Sequence, residues 1–64
     1  MKKEKVNKLT LVTEQKGHLT IIYIKEFPRI SVSDTNPVKA RKLMDDTLEK
    51  LYKSTKFQDL IKKL

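Results

Sequence analysis

The change of hydrophobic period at Asn36-Pro37 constrains this chain more than any other feature. Before it, apolar and polar residues alternate, the period-two pattern of strands. After it, apolar residues recur three and four apart, the pattern of a helix with one buried face. A chain of 64 residues that makes this switch once has room for one small sheet and the helices that cover it. The expected architecture is a single small α+β domain over residues 1–64. A domain of this size buries only about 60% of the surface its unfolded chain exposes, so every apolar face needs a cover.

Leu9, Leu11 and Thr13 share one face of a first strand, Lys8 to Glu14. Gln15-Lys16-Gly17 ends it, because glycine supplies the positive φ of a tight hairpin. His18 to Lys25 forms a second strand with Leu19, Ile21 and Tyr23 on one face and Thr20, Ile22 and Ile24 on the other. Pro28 belongs in a turn or on an edge. Arg29 to Ser33 follows as a short third strand, with Ile30 and Val32 facing inward. Residues 1–7, rich in lysine and poor in apolar groups, are expected to form a flexible basic tail.

Asn36 is a good N-cap and Pro37 suits the first helical position, with Thr35 as the alternative cap. Ala40, Leu43, Met44, Leu48, Leu51 and Tyr52 carry the helical stripe. Oppositely charged pairs four apart, such as Arg41 with Asp45 and Glu49 with Lys53, mark a solvated face. Phe57, Leu60, Ile61 and Leu64 form a second stripe, almost opposite the first on a continuous helix. Two arrangements fit: a break at Ser54-Thr55, or one long helix whose last turns pack on a partner. Thr55 as N-cap and Gln58 as its capping-box partner favour the break. The expected order is therefore β-β-β-α-α: a three-stranded antiparallel sheet, one long helix and a short C-terminal helix.

Catalysis needs convergent functional groups. Cysteine is absent, which removes thiolate metal sites and cysteine nucleophiles, and the one histidine, His18, falls in a turn. No glycine-rich phosphate loop exists, and the adjacent Asp45 and Asp46 point about 100° apart on a helix. The chain reads as non-enzymatic, without cofactor or metal. Its longest apolar run, Ile21 to Ile24, is far short of a membrane span, and no apolar stretch of leader type follows MKKEKVNK. A cytoplasmic setting is expected. Residues 56–64 are amphipathic, but they lack tryptophan and are too short to hold a membrane surface.

The net charge is +7. Residues 1–8 carry +3, residues 9–36 balance, and residues 37–64 carry +4. Lys2, Lys3, Lys5 and Lys8, with Lys39, Arg41 and Lys42 on the helix, are the candidate contacts to nucleic-acid phosphates, DNA or RNA. The bland counterpart is a charge that serves only solubility. Thirteen cations are lysines and only Arg29 and Arg41 are arginines. Base-specific readout favours arginine, so the bias points to non-specific contact. A protein-interaction module is the alternative. Ile22 and Ile24, on the face opposite Leu19, Ile21 and Tyr23, and the stripe of Phe57, Leu60, Ile61 and Leu64 are its candidate interface, including that of a homodimer.

Glu14-Gln15-Lys16-Gly17, then Phe27-Pro28, then Ser33-Asp34-Thr35 ahead of a helix at Pro37 to Tyr52 resemble the small HicB-type antitoxin fold. That likeness spans residues 13–52. The family's usual Gly-Cys after the proline is replaced here by Arg29-Ile30. The resemblance implies a β-β-β-α order and an antitoxin-like protein partner. Other β-β-β-α modules, including arm-type DNA-binding domains of integrases, fit the same outline.

Overall fold

The computed structural model describes residues 2–64. Four strands, β1 (Lys2–Val6), β2 (Leu9–Lys16), β3 (Leu19–Ile24) and β4 (Phe27–Asp34), precede two helices, α1 (Pro37–Tyr52) and α2 (Thr55–Lys62). The strands form one antiparallel sheet in the order β1-β2-β3-β4. The sheet has four strands where sequence patterning predicts three. The lysine-rich segment expected as a tail is the edge strand β1, paired with β2 from Lys2↔Thr13 to Val6↔Leu9. Met1, also assigned to that tail, lies outside the described residues.

Two-residue loops join the first three strands. Asn7-Lys8 links Val6 to Leu9, and Gly17-His18 links Lys16 to Leu19. Each loop has a positive φ at its first residue: 55° at Asn7 and 59° at Gly17. That conformation matches the twist of a hairpin, and Asn and Gly are the residues that adopt it at least cost. β4 departs from regular pairing. Ile24 faces Phe27 while Tyr23 faces Ser31, so Pro28, Arg29 and Ile30 bulge out of the ladder. Pro28 has no N–H to donate, and the bulged edge strand removes the need for one.

Both helices lie against one face of the sheet. The core joins Leu9 and Leu11 of β2, Ile22 and Ile24 of β3, Ala40, Met44 and Leu48 of α1, and Phe57 of α2. Val6, Phe27, Ile30, Val32, Leu51, Tyr52 and Ile61 pack around it. Ile22, Ile24 and Phe57 are thus internal to a single chain and are not an interface. The alternation along β3 was legible, but alternation does not say which set turns inward. Phe57 packs against Phe27 with ring centroids 5.4 Å apart and Ile61 borders the core, so the phase-shifted stripe is largely satisfied within the chain. Only Leu60 and Leu64 of that stripe stand exposed, at 45% and 52%.

The helix signals hold at Asn36. Its side chain accepts from Val38 N–H at 2.9 Å, Asp34 accepts from Asn36 N–H at 2.9 Å, and Pro37 opens the helix. The break between the helices falls at Ser54, the N-cap of α2, which makes no side-chain cap bond. Gln58 does not complete a capping box. Its amide donates instead to the Tyr52 carbonyl at the end of α1, satisfying an orphan acceptor there.

Candidate functional site

Because the helices cover one face, the other is open, and strand alternation decides what it displays. Glu4 of β1 forms an ion pair with Arg41 of α1, so Glu4 points to the helices. Its neighbours Lys3 and Lys5 therefore point away. Register then builds the open face row by row. Lys5 lies beside Thr10, whose carbonyl accepts from Lys25 N–H at 2.8 Å. Lys3 lies beside Val12, then Tyr23, then Ser31. Glu14 lies beside Ile21, then Ser33, and Lys16 beside Leu19.

The centre of this face is apolar and its margin is basic. Val12 is only 2% exposed although it stands outside the helix-packed core. Ile21 and Tyr23 are half-buried and Leu19 is 37% exposed. Tyr23, Ile21, Glu14, Lys25, Pro28 and Ser31 line a shallow hollow over β2, β3 and β4. Four lysines surround the centre, Lys3, Lys5, Lys16 and Lys25, against Glu14 and Glu26. The Tyr23 hydroxyl donates to Glu14 at 3.5 Å, a long bond that steadies the ring. Without β1, the sheet is neutral; with it, one flank of the open face is positive.

Glu26 braces the Lys5–Thr10–Lys25 row. Its carboxylate accepts from Thr10 N–H at 2.7 Å and from the Thr10 hydroxyl at 3.0 Å. Burial works to raise this carboxyl. The bonds from Thr10, the residue's own N–H and the charge of Lys5 outweigh burial and hold it below its ordinary range.

The cations expected to act together do not form one cluster. Lys3 and Lys5 share the open face. Lys2 points to the helix side, beside Thr13 and Arg41. Lys8 sits in the first hairpin loop, near Lys62, Tyr52 and Ile61 at the far end of the helices. Arg41 is engaged by Glu4 and by Asp45 at 3.0 Å. Burial works to lower its pKa, but those two carboxylates outweigh it and raise the guanidinium above its usual value. Lys39 and Lys42 are exposed on the outer face of α1, among Asp46, Glu49, Lys50 and Lys53. His18 is exposed in the second hairpin loop.

Sequence patterning assigned Tyr23 to the packed side and so missed its place at the centre of the open face. It also missed Lys25. The signal was Val6: an apolar residue three positions before Leu9, with Asn7-Lys8 between, marks a hairpin and a further strand. Among the described residues, no helix is long and apolar enough to cross a membrane. No family model matches the chain, and no curated protein or solved structure shows a significant match to it.

Proposed function

We propose that this protein is a non-enzymatic module that binds nucleic acid, chiefly through lysine–phosphate contacts, on the sheet face opposite the helices. One observation carries the reading: β1 pairs with β2 so that Lys3 and Lys5 flank the apolar centre formed by Val12 and Tyr23. Lysines on a strand are held in register, about 6.8 Å apart for residues two positions apart. A fixed basic row beside a partly accessible tyrosine is more than solubility requires, since scattered lysines serve that purpose equally well. The lysine bias supports binding that tolerates sequence.

Binding to mixed-sequence oligonucleotides across a range of salt tests this reading. Replacing Lys3 and Lys5 together by alanine weakens binding. It also flattens the log–log salt slope by about 0.9 on duplex, or about 0.7 on single strands, for each phosphate no longer neutralised. Replacing Lys39 and Lys42 changes both much less. Salt-independent affinity, or a larger effect from the helix pair, overturns the reading.

A protein-interaction module is the second reading, supported by the exposed pair Leu60 and Leu64 on and just beyond α2. It is favoured if Leu60→Glu with Leu64→Glu abolishes association with a protein partner while nucleic-acid binding is absent from the wild type.

A further inference from the structure

Resting on the nucleic-acid reading, we infer that the ligand is a single strand, with a base seated on Tyr23 and Ile21 and its phosphates on the Lys3–Lys5 flank. Three features of the open face lead there. The first is its apolar centre. A duplex turns its phosphates outward and hides the faces of its bases, so it offers the Ile21–Tyr23 surface nothing to cover. A single strand offers base faces, and an aromatic ring accepts any of them.

The second feature is the asymmetry of charge. Lys3 and Lys5 lie on β1, two strands from Tyr23 and so about 10 Å across the sheet. Lys25 lies at one end of the same surface. Glu14 lies on the other side of the Tyr23 row, next to Ile21, and holds the Tyr23 hydroxyl. Phosphates are drawn to β1 and repelled from Glu14, which directs the backbone along β1 and the base inward.

The third is the polar rim beyond the ring. Ser31 lies directly across from Tyr23 and Ser33 across from Ile21. Their hydroxyls both donate and accept, so they serve base edges of either polarity. One aromatic ring provides one stacking platform, so the sequence preference is weak.

The test is anisotropy of a labelled mixed-sequence 12-mer, as single-stranded RNA, as single-stranded DNA and as the DNA duplex, at one low salt concentration. The wild type is expected to bind at least one single strand more tightly than the duplex. Tyr23→Leu keeps Val12 covered but removes the π face, and is expected to weaken single-strand binding about 5- to 150-fold, the range for one stacked base. Tyr23→Phe is expected to stay within about threefold of wild type, and Glu14→Gln to bind more tightly. Circular dichroism confirms that each variant is folded; if Tyr23→Leu is not, Ile21→Ser replaces it, with loss of single-strand preference as the expected result. Equal affinity for duplex and single strands, or a folded Tyr23→Leu that binds as wild type, overturns the single-strand inference while leaving lysine–phosphate binding intact. No binding of any of the three by the wild type overturns the nucleic-acid reading itself.

Discussion

Arg41 of α1 and Glu4 of the edge strand β1 form an ion pair, and Asp45, one turn along α1, accepts a second bond from the same guanidinium at 3.0 Å. The pair fixes the side of β1 that faces the helices and so the side on which Lys3 and Lys5 emerge. It also neutralises Arg41. Both side chains are partly solvated, so the link contributes about 0.2–1 kcal/mol. A double-mutant cycle with Glu4→Gln and Arg41→Gln should yield a coupling in that range by denaturant unfolding. Arg41→Gln should change nucleic-acid affinity less than Lys3→Ala does, because its charge is already engaged.

The pH dependence of stability should contain a contribution from Glu26. Its folded pKa lies below the ordinary value of 4.5. The contribution is therefore full above that value and is lost as pH falls through it toward the folded pKa. Glu26→Gln should lower the melting temperature near neutral pH and lessen the fall seen between about pH 5 and pH 3. Parallel melting curves of the two proteins across that range check it.

The two exposed-looking sets of α2 should behave in opposite ways. Phe57 is buried against Phe27, and Tyr52 lies edge-on to it at 6.4 Å. Phe57→Ala should cost about 3–5 kcal/mol, enough to unfold much of so small a domain. Leu60→Glu should change stability by about 0.5 kcal/mol or less. Urea titrations of the two variants measure both.

Asn36→Ala should cost about 1 kcal/mol through loss of the cap on Val38 N–H. In a domain of this size that corresponds to a fall of about 4–8 °C in melting temperature. Asn36→Asp should retain the cap and most of the stability, and thermal unfolding of the pair separates the cap bond from the residue's other contacts.

The helical half was legible because its signals are local. Asn36-Pro37 fixes a start, Ala40, Met44 and Leu48 are one turn apart, and Ser54 interrupts a stripe that changes phase. The sheet was half legible. Alternation along β3 sorts Ile22 and Ile24 from Ile21 and Tyr23, but both sets are apolar, so composition does not choose the inner one. The choice is made by tertiary packing, where Ile22 and Ile24 meet Met44 and Leu48. β1 was missed because four of its five residues are charged, and lysine and glutamate are weak strand formers. It pairs because a two-residue hairpin at Asn7-Lys8 delivers it to β2, and because lysines suit an exposed edge. The error carried to the site: without β1 the sheet is neutral and Lys25 is the one lysine beside Tyr23.

Single-strand binding on the open sheet face is measured most directly by a backbone amide NMR titration of the intact protein with an unlabelled mixed-sequence single-stranded 12-mer at low salt. Shift changes should concentrate at Lys3, Lys5, Val12, Ile21, Tyr23 and Lys25 and diminish as salt is added, with Lys39, Lys42 and the rest of α1 nearly still. Shifts confined to α1 and α2, or none at saturating oligonucleotide, would contradict it.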